Sequence, residues 1–337
     1  MMRGLPRTPA PLEIPAGLGH DWGMDQITAR LNPAKFRDPF VTAAGETRAR
    51  VALRGLDTLW FNTGTLCNLT CANCYIESSP RNDRLDWLGV GDVRAYLDEI
   101  AREHLPTRLI GFTGGEPFMN RDIIAMLELV MDRGLHALVL TNAMQPLRRL
   151  RPELLDLRDC YPGQMTIRVS LDHYTRAVHE AERGRRTWSA TIDGLVWLAN
   201  SGFALDVAGR RFTAETEDQL RAGYARLFAD LGIAVDAHDP VRLMLFPEMD
   251  PGRDVPEITT ACWGILHKSP DDVMCASARM VVKRKDAATP MVLACTLIPY
   301  DPRFELGRTL VEASGAVSLN HPYCASFCVL GGAACSR

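Results

Sequence analysis

Three cysteines stand close together in one short stretch, Cys67-Asn-Leu-Thr-Cys71-Ala-Asn-Cys74, followed at once by Tyr75. The C-x3-C-x2-C spacing sets three thiols in a single loop. Thiolates are the usual ligands of iron–sulfur clusters and a common set for zinc, and a full cubane or a closed zinc site takes four. A [4Fe–4S] cube held by Cys67, Cys71 and Cys74 keeps one iron without a protein ligand, so a small molecule can chelate that iron and receive an electron through it. The alternative on these residues alone is a zinc knuckle whose fourth ligand lies elsewhere.

Other residues gather at the ends of predicted strands. Thr113-Gly114-Gly115-Glu116-Pro117 follows one strand directly, and paired glycines there let a ligand approach the backbone closely. Arg168, Ser170 and Asp172 alternate with Ile167, Val169 and Leu171, which turns the polar set toward the interior of a barrel. Asn142 lies just past another strand. Arg210 ends a further one, where a guanidinium can fork onto a carboxylate. Each of these also reads as an ordinary strand-terminal polar residue. His173, His179, Glu180 and Arg183 are taken as a polar loop leading to a helix, and no general acid or base is evident.

Of the ten cysteines, Cys262, Cys275, Cys295, Cys324, Cys328 and Cys335 crowd the last part of the chain, leaving Cys160 outside both groups. Apolar stretches at 280–282 and 291–293 flank a basic, Pro-containing turn, which predicts a hairpin with Cys275 and Cys295 at its ends.

The elements that must position these groups alternate regularly. Strands are expected at 57–63, 109–113, 136–141, 166–171, 204–210 and 241–246. Helices are expected between them: one with Asp92 as N-cap, one carrying Ile123, Leu127 and Val130, one from about Leu147, one around Ile192, Leu195 and Leu198, and one opened by Thr216 and Gln219 at capping-box spacing. Six strands separated by helices imply parallel pairing with right-handed crossovers, an α/β partial (βα)6 barrel with its chemistry at the C-terminal strand ends. The expected organisation is a Pro/Gly-rich lead-in over 1–55 that packs over the barrel, the barrel over 56–250, and a small Cys-rich domain over 251–337.

With 337 residues, 47% of them hydrophobic, and a formal charge of −3, the chain has a globular composition without general attraction to nucleic acid or anionic membrane. No apolar run reaches the length of a membrane span and no secretory signal is evident, so a cytoplasmic location is expected, where clustered cysteines are better explained by metal than by disulfides.

The cysteine loop with its aromatic, followed one βα unit later by Gly114-Gly115-Glu116-Pro117, resembles the radical S-adenosylmethionine (radical SAM) enzymes. The resemblance implies a partial barrel and a site-differentiated [4Fe–4S] cluster on Cys67, Cys71 and Cys74. It implies that Gly114, Gly115 and Glu116 cradle the methionine amino group of S-adenosylmethionine, and that Tyr75 lies beside the adenine. Ser170 and Asp172 would contact the cofactor, Asn142 its ribose or carboxylate, and Arg210 its carboxylate. The C-terminal cysteines resemble the SPASM and twitch extensions, which hold auxiliary clusters. The terminal run here is C-x3-C-x6-C rather than C-x2-C-x5-C-x3-C, and six cysteines are too few for two complete clusters. One auxiliary [4Fe–4S] cluster is therefore expected, on Cys275, Cys295, Cys324 and Cys335, with Cys328 or Cys262 as substitutes. The implied activity is reductive cleavage of S-adenosylmethionine to a 5′-deoxyadenosyl radical that takes hydrogen from a peptide side chain or a small molecule, leading to oxidation or cross-linking. A flavodoxin or ferredoxin would be the electron donor. The competing reading is a non-enzymatic zinc- or Fe–S-binding or electron-transfer protein.

Overall fold

The computed structural model describes residues 32–250 and 253–332. Most of the expected lead-in, and Cys335 among the expected ligands, lie outside the described residues.

In chain order the elements are β1 (Arg50–Val51), β2 (Thr58–Asn62), α1 (Val90–Arg102), β3 (Leu109–Thr113), α2 (Ile123–Met131), β4 (His136–Thr141), α3 (Gln145–Arg149), α4 (Arg151–Cys160) and β5 (Met165–Ser170). There follow α5 (Arg176–Arg183), α6 (Thr187–Asn200), β6 (Ala204–Arg211), α7 (Glu217–Leu231), β7 (Leu243–Pro247), α8 (Cys262–Leu266), β8 (Ala278–Val282), β9 (Met291–Leu293), β10 (Glu305–Gly307) and β11 (Val317–Ser318). Strands β2 to β7 lie side by side in sequence order and all parallel, the six-strand partial barrel expected from the alternation.

The strands are apolar on both faces because both are covered. On β2, Leu59 and Phe61 pack under the helices with Leu97, Met126 and Tyr224, while Trp60 faces the other way, with Leu138, Met280 and Phe327. Gly111 on β3 is what admits that indole, since a Cβ there would stand 2.3 Å from the Trp60 ring.

Past residue 250 the sheet runs on. β8 pairs parallel to β2 at the open edge of the barrel, and the expected hairpin β8–β9, with β10 beyond, extends the same sheet antiparallel to nine strands. All five residues of β8 are buried, as suits an interior strand.

Three expectations are corrected. The described part of the lead-in, from residue 32, ties into the C-terminal region. β1 pairs with β11, and buried Arg48 donates to the carbonyls of Asp38, Val41 and Leu319 while pairing with Glu257. A buried guanidinium needs its donors satisfied, and here Leu319 and Glu257 of the C-terminal region complete what Asp38 and Val41 begin. Helix α1 starts at Val90 with Gly89 as N-cap; Asp92 sits one turn in and accepts the Gly89 N–H at 3.0 Å. Finally, 176–183 is the helix α5 rather than a loop. The Thr216–Gln219 capping box does open α7, with reciprocal bonds of 2.8 and 3.3 Å.

Candidate active site

The cysteine loop leaves the C-terminal end of β2 and is held down by the turn after β3. The Gly115 N–H donates to the Gly64 carbonyl at 2.8 Å, and the Glu116 N–H to the Leu66 carbonyl at 3.3 Å. Gly114 has φ +131° and a Cβ there would lie 2.5 Å from the Gly64 oxygen; one on Gly115 would lie 2.1 Å from the Leu66 oxygen. Only glycine permits this backbone-on-backbone approach. The pair thus seats the loop that ends in Cys67 as well as lining the cavity in front of it.

That cavity, open to solvent, spans about 990 Å³ at the C-terminal mouth of the barrel. Cys67, Cys71 and Cys74 line it together with Tyr75, Gly114, Gly115, Asn142, Ser170, Asp172 and Arg210, so one chamber gathers residues as much as 143 positions apart in sequence. The Leu69 N–H points at the Cys67 sulfur and the Ser78 N–H at the Cys74 sulfur, each at 3.4 Å. Burial pushes the Cys67 thiol up to about 12 and the Cys71 thiol up to about 11, the latter opposed by nearby Arg183. Both are thiols at neutral pH, and a metal that binds them must displace their protons.

Glu116 is the exception among the expected cofactor residues. It does not line the cavity. Its carboxylate is 1% exposed and accepts from the Thr141 hydroxyl and the Asn142 N–H, both at 2.8 Å, and from the Phe118 N–H at 3.2 Å. Burial raises it to about 7 against the pull of those donors, Asn142 first. Glu116 therefore ties the end of β3 to the end of β4 and orients Asn142, whose side-chain amide donates to Asn68 of the cysteine loop at 2.9 Å.

One residue that the sequence reading passed over, Glu182, clamps the loop from the opposite side. Glu182, in the last turn of α5, takes the Asn73 N–H and the Asn73 side-chain amide, both at 2.9 Å, on its carboxylate, and the Ala72 N–H on its carbonyl at 2.8 Å. The same carboxylate pairs with Arg210, which also reaches Glu248 at 3.4 Å. Arg183 forks onto Asp172 through bonds of 2.6 and 3.0 Å. Both α5 residues line the cavity. Arg168 lies deeper in the barrel, paired with Asp206 at 3.3 Å. His173 is engaged by Glu215 and Thr175.

In the C-terminal region Cys275, Cys295, Cys324 and Cys328 converge on one apolar cavity of about 350 Å³, with Val273, Leu297, Phe304, Leu319 and Tyr323. Cys324 and Cys328 come from one wide helical turn, 324–329, four residues apart and so on one side of it. Arg279, fully buried, donates to the Cys275 carbonyl at 2.6 Å and fixes that corner. Burial holds Cys275 up to about 11 and Cys324 up to about 12. Cys262, on α8, is not among the lining residues; its sulfur takes the Thr259 N–H at 3.4 Å.

These two thiol sets fit multi-iron groups. Thiolate sulfur is the ordinary ligand of iron–sulfur clusters, and each of the two cavities is lined by several thiols. Three in the barrel mouth leave one corner facing open space, and four in the apolar cavity can close a cube. Among the described residues no helix is long and apolar enough to cross a membrane.

Residues 61–221 match the Radical SAM superfamily. The chain is similar to the antilisterial bacteriocin subtilosin biosynthesis protein AlbA of Bacillus subtilis, 31% identical over 42% of this chain and 30% of that one. It is also similar to the mycofactocin maturase MftC of Mycolicibacterium smegmatis, 26% identical over 53% of this chain and 45% of that one. The match thus spans less than half the length of either relative. In fold it is similar to SuiB of Streptococcus suis, solved with S-adenosylmethionine (TM-score 0.53, 13% identity, 74% of this chain and 63% of that one) and with the precursor peptide SuiA (TM-score 0.51, 12% identity, 74% and 62%). The three-thiol loop, the glycine turn and strands β3 to β6 all lie inside the matched stretch, and this part of the chain is a radical SAM domain.

Proposed function

We propose that the protein is a radical SAM enzyme that modifies a peptide. The observation that carries this reading is the single cavity shared by Cys67, Cys71 and Cys74 with the strand-end residues Gly114, Gly115, Asn142, Ser170, Asp172 and Arg210. Bound there, a site-differentiated [4Fe–4S] cluster and S-adenosylmethionine would supply one-electron reductive cleavage to a 5′-deoxyadenosyl radical, chemistry that belongs to the cofactor. The chain's part is to hold and to shield. Cys67, Cys71 and Cys74 would be the ligands, Tyr75 would border the adenine, and the Gly114–Gly115 backbone would meet the methionine end, with Glu116 bracing Asn142 from behind. Arg210 is already engaged by two carboxylates, so a cofactor carboxylate would share its guanidinium rather than find it vacant.

For the auxiliary [4Fe–4S] cluster the convergence of four thiols favours Cys275, Cys295, Cys324 and Cys328 over a set including Cys262. Leu297, Ile298 and Tyr323 border both this cavity and an open groove that also reaches Tyr75, so a substrate segment in the groove would lie between the two centres. A peptide is favoured over a small molecule by the bacteriocin-biosynthesis and maturase relatives and by the precursor peptide bound to SuiB. A flavodoxin or ferredoxin would supply electrons.

The test is anaerobic reconstitution with iron and sulfide, followed by metal counting and an assay for 5′-deoxyadenosine after addition of reductant and S-adenosylmethionine. About eight irons are expected, as two [4Fe–4S] clusters require, together with nucleoside release. Zinc in place of iron, or clusters without release, would overturn the reading.

A further inference from the structure

A further pocket opens away from the barrel mouth, between residues 37–39 and the C-terminal region. It is open to solvent, spans about 570 Å³ and is lined by Arg37, Arg303, Ser318 and Asn320 with apolar Phe304 and Leu306. Asn320 is 4% exposed, and its side-chain amide has no hydrogen-bond partner among the described residues. A buried amide left unpaired is costly, so in this wall it is left to water or to a ligand that fills the pocket.

Among the described residues no acid lines this pocket. The acids next to its walls in sequence are turned elsewhere. The Asp38 carboxylate accepts the Phe40 and Val41 N–H groups at 2.7 and 2.9 Å, and Glu305 pairs with Arg284. Asp301 does engage a pocket cation, Arg303. Arg303 gives its Nε N–H and one Nη2 N–H to Asp301 and one Nη1 N–H to the Phe36 carbonyl at 2.6 Å, so two of its five donors remain. Arg37 is exposed, and its guanidinium has no ion pair among the described residues. Two arginines against one aspartate leave a single net positive charge at the pocket.

One net charge matches a carboxylate better than a phosphate monoester, which carries about two at neutral pH. Guanidinium and amide donors suit the two carboxylate oxygens, and Phe304 and Leu306 suit the apolar surroundings of an acidic side chain in a peptide. The pocket also adjoins the groove that reaches Tyr75. Asp301, which holds Arg303, lines that groove, and Asn320 is followed directly by His321, another of its walls. With the walls in contact, a few residues of extended chain at about 3.3 Å each connect the two. We propose that this pocket binds an Asp or Glu side chain of the peptide substrate, at a position outside the residue that is modified. The inference rests on the peptide reading given under Proposed function and concerns recognition alone, with no bond made or broken.

The test is fluorescence anisotropy on the reconstituted full chain with a fluorescein-labelled, capped peptide Gly-Ser-Leu-Glu-Leu-Ser-Gly, its counterpart with Gln in place of Glu, and one with phosphoserine there. The parent is expected to bind the Glu peptide about tenfold more tightly than the Gln peptide, the scale of one hydrogen bond to a charged group. It should also prefer Glu to phosphoserine. Arg37→Gln should reduce the Glu-over-Gln preference to about threefold or less, with Arg37→Lys in between. Asn320→Asp, which puts the chain's own carboxylate in the pocket, should abolish it. Arg148→Gln, an exposed arginine on α3, should leave it unchanged. No preference in the parent, or one that persists unchanged in Arg37→Gln, overturns the inference, and tighter phosphoserine binding overturns the carboxylate assignment. Should Asn320→Asp fail to fold, the exposed Arg37 decides alone. Release of 5′-deoxyadenosine by a parent without the preference sinks this inference and leaves the proposed activity standing. The preference without any release overturns that activity and leaves acidic-peptide binding in place.

Discussion

His179 is fully buried at the centre of α5, and neither ring nitrogen has a hydrogen-bond partner among the described residues. Burial, then the Arg183 charge, pushes its pKa down to about 4. In the unfolded chain a histidine titrates near about 6.5. Between those values the unfolded chain takes up a proton that the folded one refuses, so this residue's contribution to stability is lost as pH falls from about 6.5 toward 4. His179→Leu removes the penalty. By thermal unfolding of the reconstituted protein, the variant is expected to gain on the parent as pH is lowered, by about 2 kcal/mol at pH 5 relative to neutral pH. A difference that does not vary with pH would show that His179 does not titrate as its burial demands. Glu116, raised to about 7, shifts stability in the opposite sense over an overlapping range, which is why the variant-minus-parent difference is the informative quantity. At this scale the cysteines and glycines were legible in the sequence, because their chemistry is tied to their residue type. The bracing role of Glu116 was not, since a carboxylate after a Gly-Gly turn serves a ligand or a backbone amide equally well.

Among the elements, α5 is the one the sequence concealed and the site most depends on. Its segment, Arg-Ala-Val-His-Glu-Ala-Glu-Arg, carries no apolar stripe, and its buried residues are His179 and Glu182. Hydrophobic periodicity finds helices that bury carbon, whereas this one buries the His179 ring and the Glu182 carboxylate, the latter satisfied by the cysteine loop and Arg210. The six barrel strands and α7 were readable because they follow the ordinary rules, apolar alternation and a capping box. Glu182→Ala tests the clamp. Removing one member of a buried ion pair typically costs about 3–5 kcal/mol, and here it also frees the Asn73 amide. Hydrogen exchange should accelerate at Asn73 and its neighbours in the cysteine loop while the strands β3 to β6 stay protected. Unchanged exchange in the loop would mean that the glycine turn alone secures it.

Across the whole molecule, β8 to β10 share one sheet with the barrel, and Cys275 and Cys324 of the four-thiol cavity belong to the same apolar core as Trp60 of β2. The sequence showed the β8–β9 hairpin but not its parallel seat on β2, because strand partners more than two hundred residues apart leave no local trace. Nor did spacing alone separate Cys328 from Cys262 as a wall of that cavity; the helical turn that brings Cys324 and Cys328 to one side does so. The central claim concerns the barrel-mouth centre: three thiols leave one iron open to S-adenosylmethionine. The most direct measurement is the electron paramagnetic resonance spectrum of the reduced, reconstituted protein with and without S-adenosylmethionine. The account predicts that the signal changes on addition and that Cys71→Ala abolishes the response. A cluster that is present, reduced and indifferent to S-adenosylmethionine would contradict it.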